Sequence, residues 1–290
     1  MAELVQLLFA GLTTGAVYAL VALGFTLIFQ ASEVVNFAQG EFVMLGGMVT
    51  VFAFEAGLPL PLAAALAIAV AVTTGLLLHR LAIEPAKGAT VVTLIIVTIG
   101  ASILIRGIAQ IVFDKQFHAL PAFTGDEPLR LLGAAILPQS LWVLGGAAAI
   151  VFGLWLFMER TLLGKAVRAT AANRLAAELV GIDTRIVLAL AFAVSAAIGA
   201  VGGILVTPIT LTSYAVGTIL ALKGFAAAML GGIGNPVGAV LGGLVLGLLE
   251  AFAAGWISST YKDGVAFLVI LLVLLVMPQG LLGRRAVERV

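Results

Sequence analysis

Residues 4–29 read LVQLLFAGLTTGAVYALVALGFTLIF, a run that contains no Asp, Glu, Lys, Arg or His. As a helix it would rise about 39 Å, more than the roughly 30 Å hydrocarbon core of a bilayer. A soluble surface helix of this length would carry a polar stripe, and this one does not. A cleaved signal would have a basic n-region and a shorter apolar run, so the stretch reads as a first membrane helix.

Further apolar runs follow at about Phe42–Phe54, Leu62–Leu78, Val91–Phe113, Leu141–Met158, Ile186–Val206, Thr210–Leu230, Val237–Trp256 and Val265–Met277. Composition agrees: of 290 residues, 62% are hydrophobic and 10% charged, against roughly 45–50% and about 25% in a soluble domain. The expected fold is all-α, a polytopic membrane helix bundle forming one transmembrane domain over residues 1–290. A crossing needs roughly 20 residues, so Phe42–Phe54 and Val265–Met277 are short. They read as tilted, broken or buried behind other helices, which leaves eight and nine crossings both open.

Orientation follows from the basic residues of the loops. Arg80 and Lys87, then Arg160, Lys165, Arg168, Arg174 and Arg185, then Arg284, Arg285 and Arg289 make ten of the fifteen Lys and Arg residues. Placing those three segments in the cytoplasm puts residue 1 outside if nine segments cross, with Asp114–Leu137 as the largest external loop.

Several chemistries are excluded. The net charge of +1 offers no basic field for nucleic acid, and the absence of cysteine removes disulfides and thiolate metal sites. Leu163-Gly164-Lys165-Ala166 lacks the first glycine and the hydroxyl of a phosphate loop. Of the two histidines, His79 reads as a helix-end residue and His118 as an external loop residue, neither buried, so no metal site and no Ser–His pair is expected.

The 34 glycines cluster at four-residue spacing: Gly11 and Gly15, Gly199 and Gly203, Gly234 and Gly238, Gly238 and Gly242, Gly243 and Gly247. Such spacing lets helix backbones approach closely, and plain helix packing accounts for it. Met-Leu-Gly-Gly recurs in GEFVMLGG (40–47) and GFAAAMLGG (224–232), on segments expected to run in opposite senses, as an inverted repeat requires.

Polar groups at membrane depth are costly and often functional. Lys223 falls inside one apolar run, Arg106 inside another and Glu250 near an outer end; snorkelling or pairing within the bundle is the simpler role for each. Two stretches read as helix interruptions: 30–41, with Glu33, Asn36, Gln39 and Glu41, and 207–214, with Thr207, Pro208 and Thr210. Unwound backbone of this kind can present polar groups to a solute, or can be a connecting loop.

The longest polar excursion is ERTLLGKAVRATAANRLAAELVGIDTR (159–185). Ala166, Ala169, Ala176, Ala177 and Leu179 among polar residues suggest a short amphipathic helix, with Gly181 placed to end it in a left-handed conformation. Such a helix suits a groove of another protein or the lipid surface.

At this loop the sequence resembles the permeases of ABC importers. ATAANRLAAELVGID (169–183) looks like the coupling motif of the branched-chain amino acid permease family, of the type forming the first of two heteromeric permease subunits. TTGAVYALVALGFTLIF (13–29), VVNFAQGEFVMLGG (34–47), LGGIGNPVGAVLGGLVLG (230–247) and MPQGLLG (277–283) are similar to that family too, so the resemblance spans nearly the whole chain.

The resemblance implies a multi-pass protein of the bacterial inner membrane with no catalytic residues, no metal and no cofactor of its own. ATP and magnesium would sit on two partner ATPase subunits, beside a second homologous permease and a periplasmic substrate-binding protein. The ATPase-coupling residues would be Arg168, Ala172, Asn173, Arg174, Leu175, Ala177, Glu178, Leu179, Gly181, Ile182 and Asp183. Arg168 and Arg174 would meet partner acids, and Leu175, Leu179 and Ile182 its groove. Asn36, Gln39, Glu41, Thr207, Thr210 and Lys223 are the expected path residues, and Gly199, Gly203, Gly234, Gly238 and Gly242 the packing positions. An ion-coupled transporter using Glu41 or Lys223 and a passive small-solute channel are the competing readings.

Overall fold

The computed structural model describes residues 2–86, 88–125, 127–131 and 133–283, excepting the side chains of 131, 265 and 266. Lys87, Arg284, Arg285 and Arg289, counted above for orientation, lie outside the described residues. The helices are α1 (Ala2–Ser32), α2 (Gln39–Glu55), α3 (Leu60–Leu78), α4 (Val91–Val112), α5 (Pro138–Arg160), α6 (Leu162–Ala172), α7 (Arg174–Leu179), α8 (Thr184–Thr210), α9 (Val216–Gly231), α10 (Pro236–Trp256) and α11 (Lys262–Val276). A π-helical turn, His79–Ile83, continues α3. Each apolar run of the sequence has become one helix, and six of these are long and apolar enough to cross a membrane.

Three corrections concern the connections. The loop after α4 carries a two-stranded antiparallel hairpin, β1 (Leu129–Leu131) against β2 (Ala134–Ile136), in an otherwise helical fold. The expected break at 207 comes later, because α8 continues through Pro208 to Thr210. His79 is buried, its ring 5.7 Å from that of Phe192. It lies where α3 packs on α8, and an end-of-helix position did not reveal that it faces inward.

Close backbone contacts give the helix directions. Gly24 of α1 meets Ser195 of α8 and Leu20 meets Gly202, so these two helices are antiparallel. Gly199 meets Phe42 and Gly203 meets Val43, so α2 runs parallel to α8. Gly224 meets Val21 and Ala22, while Gly234 meets Phe29, so α9 runs parallel to α1. Gly11 meets Leu248 and Gly15 meets Gly243, placing α10 antiparallel to α1, as Gly75 against Ala196 and His79 against Phe192 place α3 antiparallel to α8.

An inverted repeat emerges from these contacts. In each half a long helix ends, an extended segment turns back into the bundle, a half-length helix starts there, and a short turn leads to the next long helix. The first half is α1 to α3 and the second α8 to α10. Each half-length helix packs on the long helix of the other half. Both turn-backs begin on a non-glycine residue with positive φ, Glu33 at 58° and Leu211 at 64°, a conformation that persists only where surrounding packing enforces it.

The half-helices meet start to start, Gly40 against Gly217. Gln39 lies beside Ser195, which is about 17 Å along α8 from its start. The Met-Leu-Gly-Gly echo is out of register with this symmetry. Gly46 packs on Ala200 of α8, whereas Gly231 packs on Gly238 of α10; the α9 residue facing its parallel long helix is Gly224.

Gly199, Gly203, Gly238 and Gly242 do sit at helix contacts. Gly234 does not: it lies in the turn between α9 and α10 with φ 86°. A Cβ on Gly203 would overlap the Val43 carbonyl, and one on Gly100 would meet nothing within 4 Å. Overpacking costs about 1–3 kcal/mol, whereas Gly→Ala in an open helix gains up to about 1 kcal/mol. Gly203→Ala is therefore expected to lower the thermal midpoint of the detergent-solubilised protein, and Gly100→Ala to keep or raise it, by melting of the two purified variants.

Candidate functional site

The centre of the bundle is polar where the half-helices meet. Asn36, Gln39 and Glu41 are all buried there. Asn36 Oδ1 accepts from the Ala38 N–H at 3.1 Å, and its carbonyl accepts from Gln39 N–H, so this residue shapes the entry to α2. Gln39 Nε2 donates to the Ser195 carbonyl at 3.2 Å, while Ser195 Oγ lies 2.6 Å from Gln39 Oε1 and 2.9 Å from the Gly24 carbonyl. Gln39 is thus locked between α1 and α8.

One face of α4 holds the first turn-back and the first turns of both half-length helices. Thr98 Oγ1 accepts from the Phe37 N–H at 3.2 Å, Ser102 Oγ donates to Glu41 Oε1 at 2.7 Å, and Arg106 Nη1 donates to Thr218 Oγ1 at 2.5 Å. These residues repeat every four positions, so they share one side of the helix. The sequence reading singled out Arg106 and missed Thr98, Ser102 and Thr218. Its available signal was the polar stripe itself, on a helix otherwise almost wholly apolar.

Thr207 is buried and Thr210 exposed, and both hydroxyls return to their own helix, at Gly203 O and Val206 O. Neither is directed at the crossing.

Lys223 belongs to a second network. Its Nζ donates to Tyr18 Oη at 3.0 Å and to Asp263 Oδ1 at 2.8 Å, and both Glu250 carboxylate oxygens lie 3.0 Å away, Oε2 taking the hydrogen bond. Tyr18 donates to Glu250 Oε2 at 2.7 Å. Four helices, α1, α9, α10 and α11, are joined by one ammonium whose donors are all engaged. This is pairing within the bundle, the simpler of the roles weighed for Lys223 and Glu250.

The polar excursion is two helices where one was expected. Thr161 Oγ1 accepts from Gly164 N–H to cap α6, Asn173 Oδ1 from Ala176 N–H to cap α7, and Asp183 Oδ1 from Arg185 N–H to cap α8. Asn173 takes an extended backbone and breaks the helix, because its side chain offers the α7 N–H groups a partner. Gly181 ends α7 at φ 90°. Arg168 pairs with Glu159, and Arg174 lies 3.4 Å from Glu178, which also accepts from Thr184 at 2.6 Å. Both arginines thus already have acids in their own chain. Val167, Thr170 and Ala177 are buried, Ile182 is half-buried, and Leu175 and Leu179 are 68% and 80% exposed.

At the same end of the bundle, the segment after α11 closes α9. Leu281 N–H donates to the Leu230 carbonyl at 2.8 Å and Leu282 N–H to that of Gly231 at 3.0 Å, filling last-turn acceptors. Asn235 Nδ2 donates to the Leu282 carbonyl at 2.9 Å. The 230–247 and 277–283 motifs are therefore one contact.

Removing one partner of a buried ion pair costs about 3–5 kcal/mol, more than removing the pair. Lys223→Met is expected to lower the melting midpoint sharply, and adding Glu250→Gln to recover part of the loss, as measured on purified protein in detergent.

Residues 7–274 match the family described as the permease component of the branched-chain amino acid transport system. The chain is 35% identical to the high-affinity branched-chain amino acid transport system permease protein BraD of Pseudomonas aeruginosa, covering 98% of this chain and 97% of the relative. It is 34% identical to LivH of Escherichia coli over the same shares. The ribose import permease protein RbsC of Haemophilus influenzae is 28% identical, over 90% of this chain and 81% of the relative. With these relatives and its apolar helices, it is a multi-pass protein of the bacterial inner membrane. Permeases of ABC importers work with ATPase and binding-protein partners. By the match over residues 7–274 and the near full-length likeness to BraD and LivH, the chain belongs to the branched-chain amino acid transport permeases, as a membrane-spanning subunit of an ABC importer.

Proposed function

We propose that this chain forms half of a heteromeric permease pair that passes branched-chain or related hydrophobic amino acids, or similar small carboxylate or amide solutes, delivered by a periplasmic binding protein, into the cytoplasm. The names of BraD and LivH support the cargo class. The chain itself performs no catalysis and binds no cofactor; ATP and magnesium belong to two ATPase subunits. The path runs by the crossing of α2 and α9, near Asn36, Gln39 and Glu41.

The observation that carries this reading is the capped excursion α6–α7. Three side-chain caps and two internal ion pairs hold it rigidly against the ends of α5 and α8, while Leu175, Leu179 and Val180 stand exposed at its tip. A rigid lever with an apolar tip suits a groove on an ATPase subunit. Arg168, Ala172, Asn173, Glu178, Gly181 and Asp183 shape it, and Arg174 and Ile182 support it. An ion-coupled transporter or a passive channel has no use for such a lever.

Reconstituted with its partners, the permease is expected to take up leucine only with ATP and to be blocked by vanadate; uptake that persists without ATP would overturn the reading. Leu179→Asp is expected to cut ATP-driven uptake by roughly thirty-fold or more, as for loss of a central interface anchor. The folded permease yield should stay unchanged.

A further inference from the structure

Three buried charged residues, Glu41, Lys223 and Glu250, occupy the bundle interior among the described residues. Glu250 Oε1 takes no hydrogen bond, but the Lys223 ammonium lies 3.0 Å from it. Glu41 has no ion-pair partner among the described residues: it is 1% exposed, Ser102 satisfies Oε1, and Oε2 has no hydrogen-bond partner. That oxygen is aimed at the first turn of α9, since a Cβ built on Gly217 would lie 2.8 Å from it. Thr218, the next residue, holds the Arg106 guanidinium by a single hydrogen bond, the only one Arg106 makes among the described residues.

We propose that the meeting point of α2 and α9 is a transient site for the charged end of an α-amino acid, its ammonium on Glu41 and its carboxylate on Arg106. This rests on the reading of the chain as an amino-acid permease.

The electrostatics favour it. Two helix N-termini converge on the crossing, each bringing the positive end of its dipole. Together with Arg106 they outweigh the single carboxylate of Glu41, so a second carboxylate is welcome. A guanidinium held by one hydrogen bond keeps donors for a carboxylate, whose geometry it matches, and the unpaired Glu41 oxygen matches an ammonium. Glycine at 40 and 217 lets the two backbones touch at the crossing, with the Glu41 carboxylate against Gly217. Ser102, Arg106 and Thr218 are only half-buried, so the site opens on one side. Ile99 and Ile103 of α4 and Ile219 and Leu222 of α9 stand exposed beside it, and would suit a branched apolar side chain.

The test uses the reconstituted complex with its ATPase and binding protein. Glu41→Gln and Arg106→Gln are each expected to lower leucine molecules moved per ATP hydrolysed by at least about tenfold, because the solute's charge then loses its partner. Binding-protein-stimulated ATP hydrolysis should continue, and Arg106→Lys should recover part of the loss. Should either glutamine variant fail to assemble, Thr218→Cys gives a second readout, since this chain has no other cysteine. A water-soluble methanethiosulfonate is expected to label it during turnover, more slowly with leucine and its binding protein present. Unchanged coupling in both glutamine variants, or no labelling in a complex that hydrolyses ATP, would overturn the site. If the wild-type complex moves no amino acid while Thr218→Cys is still labelled, the amino-acid reading of cargo fails and the water-reached crossing stands.

Discussion

A backbone that leaves its helix inside a bilayer exposes N–H and C=O groups that lipid cannot satisfy. This protein does so twice, at 33–38 and 211–215, and most of its interior is arranged around that fact. The first turn-back is completed by Asn36 and by Thr98 of α4. The second is completed from a loop: Thr212 and His118 exchange both backbone hydrogen bonds at 2.9 Å, and His118 is steadied by Asp114 at 3.1 Å and by the Phe52 ring. The loop after α4 is thus a structural part of the bundle, with Leu120, Ala134 and Ile136 buried as well.

Satisfying the turn-backs requires close walls, which explains where the glycines fall. Wherever α1 and α8 meet the half-helices or the antiparallel long helices, one partner presents backbone instead of side chain. Apolar burial contributes little between helices already surrounded by lipid, so dispersion at short range and the few buried hydrogen bonds hold the bundle. The result is uneven. The helices α1, α2 and α8 are enclosed, while α4, α5 and α11 stand largely exposed. Movement is easier to assign to the second group, whose polar links to the rest of the bundle are few among the described residues: Thr98, Ser102 and Arg106 for α4, Gln139 for α5 and Asp263 for α11.

The sequence made the architecture legible and the site only in part. Every apolar run became a helix because lipid imposes one rule on all of them, whatever their neighbours. The breaks at 30–41 and after 207 were visible as clusters of polar residues, but their exact extents depend on how far α1 and α8 can continue before another helix blocks them. Asn36, Gln39 and Glu41 stood out for that reason, and all three are buried. Thr98, Ser102 and Thr218 were not, since hydroxyl residues are common in apolar helices and only three-dimensional facing distinguishes a bonded threonine from one that returns to its own backbone, as Thr207 does. Likewise Asn173 reads as one more polar residue in an alanine-rich helix until its cap of α7 is seen. The symmetry lies in backbone path, not residue identity, so the Met-Leu-Gly-Gly match pointed to related helices through residues that are not equivalent.

The contact of residues 281–282 with the end of α9 also sets an order of events. Synthesis proceeds from the first residue onward, so the carbonyls of Leu230 and Gly231 and the amide of Asn235 lack these partners until residues 281 and 282 have been made. Before then α9, a helix too short to cross alone, has an open C-terminal end and must rely on α1 beside it. Its settling at the crossing is therefore a late step of biogenesis, and a chain interrupted anywhere between 236 and 280 would leave the second half of the repeat unclosed however well the first half had inserted.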